Sequence, residues 1–303
     1  MSSNSKAAGE STGRVKSKST KAGDWVIAGI CFIVILICIL PILNILARSL
    51  SDPMALVNRE VSFFPVGLNF DSYKYVFQDT AFSRSMLWTA LLTVICTLVS
   101  LGITILCAYP LTYDELKGKK LINGIIVLTM YFSAGTIPTY VWMKDLNLID
   151  NPLVLILPNC LSVFNMIILR SFFFGIPESL RESAELDGAN PFIILVKIYL
   201  PLSTSVLATL TLFYAVGRWN GFSDALLYIT TAKYQPIQLK LYQIINNLSS
   251  IEISTVESAA GTPAASDGLR AASVMFATIP ILLVYPWLQR YFITGVTIGA
   301  VKG

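Results

Sequence analysis

IPESLRESAELDGANPFIILVKIYLP, residues 176–201, is the longest polar and charged interruption between two apolar runs in the middle of the chain. It carries Glu178, Arg181, Glu182, Glu185 and Asp187, then Gly188, then Asn190 and Pro191. These residues predict a short helix, a hard turn and a second helix. Pro177 suits a first helical turn, where its missing N–H costs nothing, and Glu178 suits the positive end of the helix dipole. Gly188 can take the left-handed conformation that closes a helix. Asn190 then caps the next helix and Pro191 opens it. The stretch reads as a rigid elbow between membrane segments, presented to water.

Composition puts the rest in a membrane. Of 303 residues, 54% are hydrophobic and 13% charged, with mean hydropathy +0.67, whereas a soluble domain carries about 25% charged residues. Cys31, Cys38, Cys96, Cys107 and Cys160 all lie in apolar runs and read as small buried hydrophobes, not as a disulfide framework or metal site. The chain has no histidine, the commonest metal ligand and neutral-pH proton shuttle. Its net charge of +4 fits cytoplasmic anchoring better than nucleic acid.

The chain is expected to begin with a disordered basic cytoplasmic tail, 1–24, whose Lys6, Arg14, Lys16, Lys18 and Lys21 set its side by the positive-inside rule. Six spans follow, at about 25–47, 86–107, 121–143, 153–174, 202–231 and 271–288, with roughly 20 apolar residues needed to cross. The third is broken by Gly135 and Pro138, and the fifth by Arg218-Trp219-Asn220-Gly221. Residues 48–83 read as an external loop with short amphipathic pieces, and 233–268 as a polar external loop. The loop 109–120, with Lys117, Lys119 and Lys120, reads as cytoplasmic, as do the elbow and both termini.

No G-x-x-x-x-G-K-[ST] occurs, so a P-loop for ATP is absent. No Asp or Glu is expected deep in a span, where an ion-driven carrier keeps ionisable groups or paired broken helices. With no internal repeat evident, the chain reads as half of a heteromeric pore driven from outside itself. Candidate substrate-path residues are Tyr131, Asn159, Asn165, Tyr214, Trp219 and Asn220, which offer aromatic faces and amides to a hydroxylated solute. The competing readings are interfacial aromatics for Tyr and Trp and helix–helix hydrogen bonding for Asn.

The elbow resembles the EAA loop of ABC importer permeases: Glu-Ala-Ala, three residues, Gly, nine residues, Ile, one residue, Leu-Pro. Glu182-Ser183-Ala184, Gly188, Ile198, Leu200 and Pro201 fall in register, with Ser183 for the first alanine. Six fixed positions match by chance on the order of one in a million per start. The ending GVTIGAVKG, RSFFFGIPESLRESAELDGA and FYAVGRWNGF resemble the smaller permease of maltose-type carbohydrate importers. AYPLTYDELKGKK, SVFNMIILRSFFF and ALLYI look most like the branch for complex plant and algal oligosaccharides, of the rhamnogalacturonan or alginate kind.

The resemblance implies an all-α integral membrane fold of six transmembrane helices with a cytoplasmic coupling-helix elbow, the type I ABC importer permease fold, over residues 25–303 in a bacterial cytoplasmic membrane. It implies a second homologous permease, two ATP-binding subunits carrying ATP and Mg, an extracytoplasmic sugar-binding protein and an oligosaccharide substrate. This chain would be no enzyme and hold no cofactor itself. Glu182, Ser183, Ala184, Asp187 and Gly188 would couple it to the ATPase. The tail Gly299, Ala300, Val301, Lys302 and Gly303 would reach between the ATPase subunits. The alternatives are a permease for a peptide, polyamine or anion, and a non-transporting membrane anchor or sensor.

Overall fold

The computed structural model describes residues 20–258 and 263–300. Every regular element among them is helical. Helix α1 (Thr20–Ser49) is followed by short α2 (Pro53–Val57) and α3 (Asp71–Gln78), then by long α4 (Thr80–Ala108). Asp79 starts α4 cleanly: its carboxylate accepts from the Ala81 and Phe82 N–H groups, satisfying donors that a helix start leaves open. Next come α5 (Lys119–Tyr131) and α6 (Thr136–Asp145), α7 (Val163–Phe174) and the elbow helix α8 (Glu178–Leu186). The chain continues through α9 (Pro191–Ile194), a π-turn at Leu195–Tyr199, α10 (Leu200–Leu202) and α11 (Thr204–Trp219). It closes with α12 (Ser223–Tyr228), α13 (Ile237–Ser258) and α14 (Pro263–Ala300).

Among the described residues, three stretches are long and apolar enough to cross a membrane: Gly23–Ser49, Thr80–Thr112 and Asp267–Val284. Three bent helix pairs pass the same test together and raise the number to as many as six: α5 with α6 (115°), α7 with α8 (73°), and Pro191–Leu202 with α11 (85°). The α7–α8 pair is not a single span on chemical grounds. Helix α8 carries Glu178, Arg181, Glu182 and Glu185 in nine residues, and each ionised group at membrane depth is costly. Residues 23–43 of α1 are exposed throughout. So long an apolar surface is untenable in water and ordinary against lipid.

Among the described residues, the buried ones form three clusters along α4. At one end Tyr109, Phe173, Ile194, Tyr199 and Leu210 pack together beneath the elbow. In the middle Leu92, Cys96, Leu155, Tyr228 and Leu239 meet. At the other end Phe82 and Val76 pack on Ile237, Ala272 and Ala277. Thr89 pins α13 to α4 here: its hydroxyl donates to the Ser85 carbonyl and accepts the Ile237 N–H, both at 2.7 Å.

Several expectations are corrected. The fourth apolar run, 153–174, is not one helix. A 3-10 turn at Pro152–Leu155 and irregular backbone precede α7, whose 12 residues reach about 18 Å of a ~30 Å core. The stretch 233–268 is largely helical, because Ile237, Leu241 and Ile244 recur at helical spacing and pack on one cluster with Phe82 and Ala272, a period that the polar average hides. The stretch 1–24 is not tail to its end, since α1 already begins at Thr20; residues 1–19 lie outside the described residues. The third span breaks at 132–135, so Pro138 sits inside the first turn of α6, where proline is tolerated. Cys31 and Cys38 are exposed on α1, not buried, because none of the described residues covers that apolar surface. Of the tail, Gly299 and Ala300 continue α14, and Val301, Lys302 and Gly303 lie outside the described residues.

Asp150 ties its turn to the segment after α12. It sits at φ 57° and accepts from the Thr230 N–H (2.9 Å), the Thr231 N–H (2.8 Å) and the Thr231 hydroxyl (2.5 Å). These donors, the Thr231 hydroxyl first, hold its carboxyl down at about 2. A depressed carboxylate stabilises the fold above its ordinary value near 4 and stops doing so as pH falls through the folded one. The tie is therefore expected to be complete at neutral pH and lost only as pH falls through about 2. Asp150→Asn keeps a side chain that tolerates positive φ but removes the charge. Amide exchange at Thr230 and Thr231 should quicken several-fold at neutral pH, and unchanged exchange would mean that the charge contributes nothing.

Candidate functional site: an amide-lined cavity and a polar elbow

Where the irregular stretch before α7 faces the break between α11 and α12, a cavity of about 1080 Å³ opens. Non-helical backbone at membrane depth needs such a place, because its N–H and C=O groups must meet protein or water and not lipid. Asn159, Asn165, Tyr214 and Asn220 all line it. The side-chain amides of the three asparagines have no hydrogen-bond partner among the described residues, so each keeps its donors and acceptor for a ligand. Phe164, Phe213 and Phe222 supply aromatic surface beside Ser100, Ser162 and Ser223.

Tyr214 is spent on structure. Its oxygen accepts the Ser162 N–H at 3.2 Å and lies 2.6 Å from the Thr104 hydroxyl, which itself donates to the Ser100 carbonyl at 2.7 Å. With Thr104's proton committed, Tyr214 must be the donor between them. The ring thus ties α4, α11 and the start of α7 together at the cavity wall. Two sequence candidates lie elsewhere. Tyr131 ends α5 with 78% of its surface exposed and is not part of the wall. Trp219 is buried against α14, its indole N–H donating to the Ala277 carbonyl at 3.3 Å. One residue, about 100° of helix, turns Trp219 away from the wall that Asn220 lines, and residue type alone does not give that phase.

Arg218 and Asp224 are not among the substrate-path candidates, yet both line the cavity. Asp224 lies within 202–231, the stretch expected to form the broken fifth span, where the sequence reading expects no deep acid. Arg218 Nη1 lies 2.5 Å from Asp224 Oδ2 and Nη2 3.1 Å from Oδ1, a two-pronged pair bridging the helix break. Nη1 also donates to the Leu155 carbonyl at 3.1 Å. Gly221 makes room: a Cβ there would lie 2.7 Å from the guanidinium carbon. The signal in the sequence is a base and an acid six residues apart across a Trp-Asn-Gly break.

At the other end, α8 closes on Gly188 at φ 81°. The Gly188 N–H donates to the Glu185 carbonyl (3.0 Å) and the Ala189 N–H to the Ala184 carbonyl (2.9 Å), the paired bonds of a Schellman stop. Asn190 Oδ1 then accepts the Ile193 N–H at 2.8 Å. Pro177 stands just before α8, not in its first turn. Pro201 has no N–H to give, and the chain ahead of it widens into the π-turn, where the Leu200 N–H reaches back to the Leu195 carbonyl. Glu182, Ser183 and Asp187 are exposed, and Ala184 packs on the cluster beneath.

Arg181 holds this elbow down, a role that sequence reasoning misses. Its side chain is 8% exposed and sits 2.5 Å from Glu178, 3.5 Å from Glu115 and 3.9 Å from Glu185. Its guanidinium lies 4.6 Å from the centre of the Tyr113 ring. Loop 109–120 and the elbow therefore share one end of the molecule.

An apolar helical bundle around an amide-lined cavity, with a charged elbow at one end, is the architecture of a membrane transport subunit. A scan against protein-family models finds no match. The chain is 39% identical over 280 residues to the polygalacturonan/rhamnogalacturonan transport system permease protein YtcP of Bacillus subtilis (strain 168), covering 92% of this chain and 98% of that one. It is 41% identical over 292 residues to the protein LplC of the same strain, covering 94% and 97%. Among solved structures it matches a chain of a bacterial ABC transporter involved in the import of the acidic polysaccharide alginate, with TM-score 0.82 and 32% identity, over 91% of this chain and 98% of that one. The chain belongs to the permease subunits of sugar ABC transporters, and it is an integral membrane protein.

Proposed function

We propose that this chain forms half of the translocation pore of a binding-protein-dependent oligosaccharide importer in a bacterial cytoplasmic membrane. The observation that carries the reading is the cavity at the broken helices, with the free amides of Asn159, Asn165 and Asn220 beside phenylalanine rings, in a chain of the sugar permease family. The rest of the complex is a second homologous permease, two subunits that bind ATP and Mg, and an extracytoplasmic sugar-binding protein. Six spans, the fourth made of α7 together with the irregular backbone before it, put both termini and the elbow in the cytoplasm. The lysines of loop 109–120 support that side, and the Arg181–Glu115 contact ties the elbow to the same loop.

In this reading Glu182, Ser183 and Asp187, exposed on the elbow, meet the ATPase. Ala184 and Gly188 give the elbow its shape, and Gly299–Gly303 reach between the ATPase subunits. Closure of the ATPases on ATP draws the elbows together and opens the pore toward the loaded binding protein. The test is a reconstituted complex. ATP hydrolysis should rise only when binding protein and oligosaccharide are both present, and Asn165→Ala with Asn220→Ala should reduce that rise without lowering complex yield. Full stimulation by a peptide or amino acid, with none by any oligosaccharide, would overturn the substrate class.

A further inference from the structure

We infer that the Arg218–Asp224 pair sets the charge selectivity of the cavity, with Asp224 cancelling the one guanidinium on the wall so that this subunit reads a sugar's hydroxyls and not its carboxylates. The inference rests on the cavity being the sugar path.

Among the described residues, the wall holds two side chains of the charged type, Arg218 and Asp224, and they pair with each other. Their side chains are 7% and 16% exposed, and they meet through both oxygens and both terminal nitrogens. Asp224 Oδ1 also accepts the Ala225 N–H at 2.8 Å, which fixes the carboxylate on the end of the guanidinium. The wall is therefore neutral in sum, and what remains open on it is amide and hydroxyl. The cancellation is a matter of local structure. The two residues lie on either side of the 220–222 break, and only the absence of a side chain at Gly221 lets the guanidinium lie there.

Arg218 is not fully satisfied by its own chain, because its buried Nε–H has no acceptor among the described residues. If Asp224 loses its charge, the guanidinium becomes the strongest unneutralised anion binder in the cavity, since a planar fork matches a carboxylate and a site away from bulk water weakens screening. If Arg218 loses its charge instead, Asp224 repels any acidic sugar. The two single substitutions must therefore move selectivity in opposite directions, and the double substitution must not move it.

The experiment uses proteoliposomes holding the complete complex, supplied with binding protein. Uptake is compared between a uronate oligosaccharide and the same oligosaccharide with its carboxylates methyl-esterified. Dividing each variant's acidic-to-esterified ratio by the wild-type ratio removes the binding protein's own preference. Asp224→Asn should raise the ratio about tenfold, the size of one charge contact of about 1.4 kcal/mol, and Arg218→Gln should lower it. The double variant Arg218→Gln/Asp224→Asn should stay within about twofold of wild type. A structural role alone would lower uptake of both sugars and leave the ratio in place. Ratios unchanged in both single variants, or shifted the same way in both, overturn the inference. If one single variant does not assemble, the other decides by the sign of its shift against the double variant. If wild type takes up neither sugar, the proposed function fails first.

Discussion

Gly221→Val is expected to lower stability by about 3–5 kcal/mol, the cost of breaking a buried ion pair. The added Cβ would sit 2.7 Å from the Arg218 guanidinium carbon. A clash with the far end of a long side chain is usually cheap, because the chain swings away. Here it cannot do so freely: the guanidinium is held by both Asp224 oxygens and by the Leu155 carbonyl. Displacing it leaves Asp224 without its cation and loosens the junction of α11, α12 and the Pro152–Leu155 turn together. The check is the thermal midpoint of the detergent-purified complex, measured in the wild-type and Arg218→Gln/Asp224→Asn backgrounds. With the fork and charges gone, the same valine should cost no more than about 1 kcal/mol, so that about 2–4 kcal/mol of its effect is coupling to the pair, the order expected for groups in contact. Equal penalties in both backgrounds would place the clash elsewhere.

What can be read from the sequence divides by the range of the forces involved. The elbow is legible because its signals act within a turn: Gly188 at positive φ, Asn190 capping, Pro191 opening a helix. Its anchor is not. Arg181 finds Glu115 and Tyr113 in a loop far back in the chain, and nothing in the local pattern of α8 names them. The cavity is half legible. Amide and aromatic chemistry points to Asn159, Asn165, Tyr214 and Asn220, which the fold brings to one wall. The same chemistry misplaces Tyr131, left exposed, and Trp219, turned toward α14. The fourth span goes astray for a related reason. An apolar run reads as a helix by default, and only the cavity beside it explains how 156–162 can stay irregular.

Arg181→Met is expected to separate the elbow's shape from its work. The methionine keeps most of the side chain's bulk over Tyr113, while Glu115, Glu178 and Glu185 lose their shared cation. Glu115 and Glu178 are 73% and 61% exposed, so water takes over much of the lost interaction and stability should change little. The mechanical loss is larger than the thermodynamic one. Arg181 lies against Tyr113, whose hydroxyl meets that of Tyr109 at 2.5 Å, and Tyr109 packs edge-on against Tyr199 and Phe173. This line of contacts runs from the polar elbow to the cluster beneath it. On the proposed function, cutting it lets α8 shift when the ATPases close without drawing α11 along. Sugar-stimulated hydrolysis should then fall about tenfold, or about 1.4 kcal/mol of lost coupling, with complex yield near wild type. Arg181→Lys should recover only part of it, since a point charge replaces neither the fork nor the stacking on Tyr113. Gly188→Val serves as the comparison: φ 81° is costly for a β-branched residue, so it should lower yield as well as coupling. Normal stimulation and normal yield in Arg181→Met would show that the elbow transmits its motion by some other contact.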